Sequence, residues 1–494
     1  MSETETPFEV ADRNTRGGPA SGRRAARSPS ARKCAGRVYT PESIVNDILN
    51  LSGYVGKRIL NRHVIDNSCG DGAFLGPIVE RYCRECEPRR LKENLEEYVH
   101  GIEIDAGERE KCVKRLDAVA ARYGASGVRW DVQCGDALKA RQYDGKMDFV
   151  LGNPPYIRVH NLGESFDSVK SFAFARGGMT DLYLVFYEIG LQMLNDRGVL
   201  GYITPSSFFS SLAGSVFRKR LVDVNLLAKL VDLEHRQVFD VAAYTAIVVL
   251  EKARKARTVE FCRYENGTRF VANLAPEDYL IDGKFYFSEK SELDELRLVL
   301  ENGAGNRFDV KNGFATLCDS FFINDRLTGP HVLPVVKAST GKWTKALFPY
   351  ADSKLIPYGQ LAKDPELKRY YEQNAKRLKA RSLENPLEWH GFGRTQGIRD
   401  VYKNKYSVNS LIRDKSDVKL NRCPSGTGVY GGLYILTEIP FEELQTLICS
   451  DAFVKYVSLL RKYKSGGYYA FSSCDLKIYL EYAYRRRFGD KNER

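Results

Sequence analysis

Four apolar runs in the first third of the chain each stop at a polar or acidic residue. They are Val64-Ile65-Asp66, Val99 to Glu103, Val128 to Cys134 with Gly135-Asp136 behind it, and Phe149-Val150-Leu151-Gly152-Asn153. Short apolar runs closed by turn residues read as buried strands, and the segments between them carry helical patterning. Strands alternating with helices predict an α/β fold built on a parallel sheet. Ligands bind such sheets at the carboxyl ends of the strands, so the four polar residues are expected to meet at one site.

The fourth run ends in Asn153-Pro154-Pro155-Tyr156. The two prolines fix their own φ and bias Asn153 and Pro154 toward extended conformations. The loop therefore presents a side-chain amide, a carbonyl and an aromatic ring in one preset geometry. Asn153 Oδ1 and the Pro154 carbonyl can accept both hydrogens of an exocyclic amine while Tyr156 stacks on its ring. The loop holds no His, Asp or Lys to act as a base. Behind the first run, Ser68-Cys69-Gly70-Asp71-Gly72-Ala73-Phe74-Leu75 reads as a glycine turn opening a helix. Gly70 and Gly72 allow close backbone approach to a ligand, and Asp66 can pair with an ammonium group. The third glycine of a dinucleotide fingerprint is replaced by Leu75, and acids outnumber bases in the loop, which argues against a pyrophosphate ligand. Glu103 can accept two ribose hydroxyls, Asp105 can cap the helix of residues 106–123, and Asp136 can accept from an adenine amine. Upstream, Thr40 is expected to cap a helix that has Pro41 in its first turn and runs to about Leu51.

Together these motifs resemble the TaqI-type, Eco57I-like site-specific DNA adenine methyltransferases. The resemblance implies a Rossmann-like class I sheet using S-adenosylmethionine, followed by a mixed α+β target-recognition domain. It implies that Thr40, Asp66, Ser68, Cys69, Gly70, Gly72, Phe74, Glu103, Ile104, Asp136, Ala137 and Asn153 hold the cofactor. Asn153, Pro154, Pro155 and Tyr156 would form the catalytic loop, with Phe239 of Val238-Phe239-Asp240 packing on the target base opposite Tyr156. The implied reaction is methylation of the N6 amine of an adenine flipped out of duplex DNA, as the modification part of a restriction-modification or related system, with or without a cognate restriction endonuclease as partner. The enzyme is expected to act as a monomer on DNA. Lys311 to Leu317 and Asp319 to Ile323 resemble the opening of the family's specificity domain.

Composition agrees with a DNA partner: 494 residues carry a net charge of +12, and lysines and arginines that neutralise phosphates release counterions. Residues 1–35 are polar and Arg-rich, and are expected to be a disordered tail. The catalytic domain is expected over 36–255 and the specificity domain over 256–494, where the βαβ rhythm stops. Residues 157–178 are irregular and are expected to face DNA. Thr180 to Asn195 is predicted to be an amphipathic helix stopped by Gly198, and Leu367 to Leu383, with Lys368, Arg369, Lys376, Arg377, Lys379 and Arg381, a basic helix that either presents a solvated face or lines the duplex. Trp389 to Gly397 and Gly466 to Ser473 interleave aromatic and polar residues in a way that suits base readout.

Eleven scattered cysteines predict reduced thiols, and no metal site is expected. No run is long enough to span a membrane, and the polar N-terminus lacks a secretory core, so a cytoplasmic location is expected. Methylation of cytosine at N4 uses the same loop and is the nearest alternative. A protein-glutamine methyltransferase also uses it, but without a large basic second domain. A fused restriction nuclease would need more residues than the roughly 35 ahead of the first motif. A pure DNA-binding module is the remaining alternative.

Overall fold

The computed structural model describes residues 40–159, 169–176, 180–236, 238–239 and 244–489. The expected N-terminal tail lies outside the described residues, as does His160 of the irregular segment. Contacts divide the chain into two units that meet at Asp294 and Glu295.

The first unit is organised by a nine-stranded sheet. Its strands are β1 (Val64–Asp66), β2 (Val99–Glu103), β3 (Asp131–Cys134), β4 (Met147–Gly152), β5 (Leu194–Pro205), β6 (Leu227–Asp232), β7 (Thr245–Glu251), β8 (Val259–Tyr264) and β9 (Thr268–Leu274). They lie in the order β3-β2-β1-β4-β5-β7-β6-β8-β9. The first five neighbours run parallel, and β7 is antiparallel to both β5 and β6. Its longer helices among the described residues include α1 (Glu42–Leu51), α2 (Leu75–Glu85), α3 (Pro88–Tyr98), α4 (Ala106–Ala121), α5 (Leu182–Met193) and α6 (Ser215–Asp223). As expected, Asp105 caps α4, its Oδ1 accepting from Gly107 N at 2.8 Å and Glu108 N at 3.0 Å.

Three expectations about this unit are corrected. The sheet does not stop near residue 255: β8 pairs in parallel with β6 and β9 closes the edge, so the unit runs on to Asp294. The sequence signal for a boundary there, a cluster of basic residues, is a turn between two strands of one sheet. Helix α5 is buried on most of its surface, with nine of its twelve residues inside, and is not amphipathic. It ends at Met193, and Gly198 lies within β5, where a β-carbon would come within 2.9 Å of the Met147 carbonyl. Thr40 makes no side-chain cap, because Pro41 occupies the position before α1.

The second unit holds, among the described residues, a four-stranded sheet of Asp309–Asn312, Leu433–Leu436, Lys405–Val408 and Leu420–Cys423, two three-stranded sheets, a two-stranded ribbon and several helices. An aromatic core joins Phe314, Phe321, Phe322, Tyr370, Tyr371 and Phe392. The mixed α+β character expected after the first unit is therefore present. The basic helix spans Pro365–Lys379, capped by Asp364, with Leu367, Tyr370, Tyr371 and Leu378 buried and Lys368, Arg369, Lys376, Arg377 and Lys379 exposed. Arg381 is a staple, donating to the carbonyls of Thr316, Trp389 and Gly391. His390 and Phe392, expected among base-reading residues, are 6% and 5% exposed and belong to the interior. The apolar packing of their own unit outweighs the aromatic-polar alternation that suggested readout.

No helix among the described residues is long and apolar enough to cross a membrane.

Candidate active site

A cleft opens at the carboxyl ends of β1, β2, β3 and β4. It is lined by Thr40, Asp66, Asn67, Ser68, Cys69, Gly70, Asp71, Ala73, Phe74, Ile102, Glu103, Ile104, Glu108, Gly135, Asp136, Ala137, Asn153, Pro154, Pro155 and Phe186. The structure thus brings together every expected cofactor-binding residue except Gly72. Gly72 (φ +85°) lies behind the wall, where a β-carbon would meet Cys112 Sγ at 2.9 Å. Its role is to let the loop pack on α4.

Asp66 closes β1 and is 2% exposed. Its Oδ1 accepts from Ser68 N at 3.0 Å, and burial pushes its carboxyl up to about 8. Removal from water without a countercharge favours the neutral acid. Glu103 closes β2, and both its oxygens are already oriented by the backbone: Oε2 accepts from Gly70 N at 2.9 Å and Oε1 from Asp105 N at 2.8 Å. Each carboxylate oxygen keeps further acceptor capacity for a ligand hydroxyl. Asp136 Oδ1 accepts from Leu138 N at 3.0 Å, which fixes the short turn after β3.

Asn153 follows β4 and is held from two sides. Its Nδ2 donates to Thr40 Oγ1 at 3.1 Å, and the Ser68 hydroxyl donates to its backbone carbonyl at 3.3 Å. The Asn-Pro-Pro-Tyr loop and the glycine loop are therefore physically tied. The Tyr156 hydroxyl donates to the Ile203 carbonyl on β5 at 3.1 Å, which anchors its ring, and burial pushes the phenol well above its ordinary range. Tyr156 and Phe239 meet edge to face, with centroids 6.1 Å apart and planes at 74°. Phe239 is 6% exposed and packs in the core of the first unit. The expected pairing of the two rings across a slot is absent from this arrangement, and a planar base could enter between them only after one ring moved. Neither ring lines the cleft.

Sequence reasoning missed several lining residues. Asn67, Asp71 and Ala73 lie inside the glycine motif and were legible there as neighbours of the chosen residues. Asn67 is 1% exposed and accepts from the Tyr202 hydroxyl at 2.9 Å, and Asp71 pairs with Arg115 at 3.0 Å. Phe186 comes from α5, where an apolar helix offers no local signal for a ligand.

Five acidic side chains, those of Asp66, Asp71, Glu103, Glu108 and Asp136, line the cleft, and among the described residues no Lys, Arg or His does. Such a wall repels phosphate and suits a ligand bearing positive charge. A sulfonium with an ammonium group beside Asp66 fits that donor and acceptor set.

The strand order with its reversed β7 is the arrangement of the class I methyltransferase fold, and the acidic cleft on the first four strand ends has a lining that fits S-adenosylmethionine. Residues 80–239 match the family described as Eco57I restriction-modification methylase. The chain is 27% identical to the type II methyltransferase M.BstVI of Geobacillus stearothermophilus over 72% of this chain and 73% of that protein. It is 28% identical to the type II methyltransferase M.PaeR7I of Pseudomonas aeruginosa over 44% of this chain and 40% of that one. Against the type II restriction enzyme and methyltransferase RM.Eco57I of Escherichia coli the identity is 24% over 59% and 36%. The chain thus spans less than half the length of the last two relatives. In fold it is similar to the type IIL restriction-modification enzyme MmeI, solved in complex with DNA, with a TM-score of 0.62 at 13% identity over 87% of this chain and 63% of that one. These matches bear out the resemblance to Eco57I-like methylases that the motifs carry.

Proposed function

We propose that the protein is a site-specific DNA methyltransferase that transfers a methyl group from S-adenosylmethionine to the N6 amine of adenine in duplex DNA, as the modification activity of a restriction-modification system. The observation that carries this reading is that Asn153-Pro154-Pro155 forms one wall of the acidic cleft and is tied through Ser68 to the glycine loop. The printed names of the relatives, type II methyltransferases, point the same way.

In this reading Asp66 holds the cofactor's ammonium group, Glu103 its ribose hydroxyls and Asp136 its adenine amine, with Thr40 at the methionine end. The cofactor, when bound, supplies an electrophilic methyl group. Asn153 Oδ1 and the Pro154 carbonyl accept the two hydrogens of the target amine. That favours a pyramidal nitrogen whose lone pair leaves conjugation with the ring, and it prepays the orientation of the nucleophile. The loop needs no base, because the surplus proton becomes acidic once the nitrogen carries the methyl group and can pass to water. A base inside a duplex is out of reach, so the adenine is flipped out, with the Tyr156 ring recovering about 1–3 kcal/mol of stacking. Phe239 joins that stack only if it leaves its edge-to-face contact. The second unit, with its exposed lysines and arginines on the helix Pro365–Lys379, is assigned to target recognition, with contacts to phosphate setting register.

The test is nucleoside mass spectrometry of DNA from a host free of its own methylases that expresses the chain. N6-methyladenine is the expected product. N4-methylcytosine would keep the mechanism and change the base, and unmodified DNA would overturn the proposal.

A further inference from the structure

The stretch Gly466 to Ser473, in which aromatic and polar residues interleave, opens within a hairpin of the second unit. Its strands Tyr463–Lys464 and Tyr468–Ala470 meet over Ser465-Gly466-Gly467. Gly466 (φ +77°) and Gly467 (φ +78°) make the reversal in the left-handed region, which other residues disfavour. The strand Leu411–Ile412 pairs antiparallel with Tyr468–Ala470, Ile412 opposite Tyr469, and that register sets Arg413 beside Tyr468. The Arg413 guanidinium lies over the Tyr468 ring, 4.4 Å from its centroid. Asp417 holds it along one edge: Oδ2 accepts from Nε at 3.0 Å and Oδ1 from Nη2 at 3.1 Å, while Oδ2 also accepts from Arg413 N at 2.9 Å.

A guanidinium has five N–H donors, and Asp417 takes two of them. Among the described residues nothing accepts from Nη1. Arg381, by contrast, commits all three of its nitrogens to backbone carbonyls, as a staple does. Arg413 is exposed, yet its head is fixed on one face and one edge, so the outer Nη1–Nη2 fork is free in a set geometry. Such a fork matches two acceptors side by side, either N7 and O6 of a guanine in the major groove or two phosphate oxygens. The Asp417 carboxylate decides between them. It offsets the positive charge on which attraction to phosphate depends and leaves the direction of the donors intact.

We propose that Arg413 is a specificity residue that reads one guanine of the methylated site, with Asp417 and Tyr468 fixing its direction before DNA arrives. The inference rests on the proposed function and adds to it a named base contact in target recognition.

Sequencing that registers modified bases gives the motif marked by the full chain in a host without methylases. Oligonucleotide duplexes then carry 7-deazaguanine, which lacks the N7 acceptor but keeps Watson–Crick pairing, at one motif guanine at a time. The unaltered protein is expected to methylate one of these duplexes about 10-fold more slowly than the guanine duplex. Arg413→Ala and Arg413→Gln, folded by their thermal midpoints, are expected to methylate the two duplexes at equal rates and to relax the motif at that position alone. Asp417→Asn, which leaves Arg413 in place, is expected to shrink the effect, and it decides the matter if both Arg413 variants fail to fold. A motif without a G·C pair, no duplex that slows the unaltered protein, or an undiminished effect in any folded variant overturns the inference and leaves the methyltransferase reading standing. Weaker methylation of every site alike in Arg413→Ala, restored at low salt, assigns the residue to phosphate and overturns it as well. DNA left unmodified by the unaltered chain removes the methyltransferase reading itself.

Discussion

Gly152 abuts Asp66: a β-carbon on Gly152 would lie 2.5 Å from Asp66 Oδ1 and 3.1 Å from its Cγ. The last residue of β4 is thus fitted against the last side chain of β1, and the cleft depends on that closeness. Gly152→Ala must push aside a buried carboxylate fixed by Ser68 N. Overpacking of this kind costs about 1–3 kcal/mol. The expected outcome is a lower thermal midpoint together with weakened S-adenosylmethionine binding by calorimetry. Unchanged binding would show that Asp66 is not part of the cofactor site.

The buried Asp66 carboxyl also predicts a pH dependence. Its value in the folded protein rises from 3.8 to about 8 through burial. Because the folded value exceeds the unfolded one, the protonated group contributes stability that is full below the unfolded value. That contribution is lost as pH rises toward the folded value. Measured against Asp66→Asn, the thermal midpoint of the unliganded protein should fall between about pH 4 and about pH 8 and level off above. Binding of a cationic ligand favours the ionised form, so it should release a proton near neutral pH, seen as a buffer-dependent heat in calorimetry. A flat difference between the two proteins would contradict the buried, uncompensated acid.

Glu103 accepts from two backbone N–H groups at once, which glutamine cannot reproduce because one end of its amide donates. Glu103→Gln should leave either Gly70 N or Asp105 N facing a donor. A loss of about 1–3 kcal/mol in stability is expected, with a larger fall in affinity for S-adenosylmethionine than for a ligand lacking the ribose hydroxyls. Equal affinity loss for the two ligands would remove the ribose contact.

Tyr156 separates anchoring from stacking. Tyr156→Phe deletes the hydrogen bond to the Ile203 carbonyl and keeps the ring, costing about 0.5–1.5 kcal/mol of stability with most activity retained. Tyr156→Ala removes the stack as well and should abolish the fluorescence change of 2-aminopurine placed at the target. A full fluorescence change in Tyr156→Ala would exclude the ring from base holding.

Much of the cleft was legible because its lining residues sit at strand ends, where a local pattern of apolar run and polar stop reports a global position. Asp66, Glu103, Asp136 and Asn153 were found this way. Thr40 was read as a cap from its place before Pro41, but its hydroxyl contacts a residue 113 positions away, which no local pattern encodes. Gly72 was chosen for ligand approach and serves helix packing, since a glycine motif does not say which of its faces is crowded. The unit boundary was misplaced because β8 and β9 extend the sheet after a basic turn. In the second unit His390 and Phe392 went to the interior and the half-buried Arg381 to backbone carbonyls, where burial of aromatic surface and satisfaction of carbonyls compete with any surface role.

The central claim is that Asn153 orients the amine that receives the methyl group, and single-turnover transfer by Asn153→Ala tests it most directly when cofactor affinity is measured on the same protein. The account predicts that transfer falls by about 100-fold or more, as loss of a preorganised polar contact does elsewhere, while S-adenosylmethionine still binds. Transfer at nearly the unaltered rate, with the cofactor bound, would contradict it.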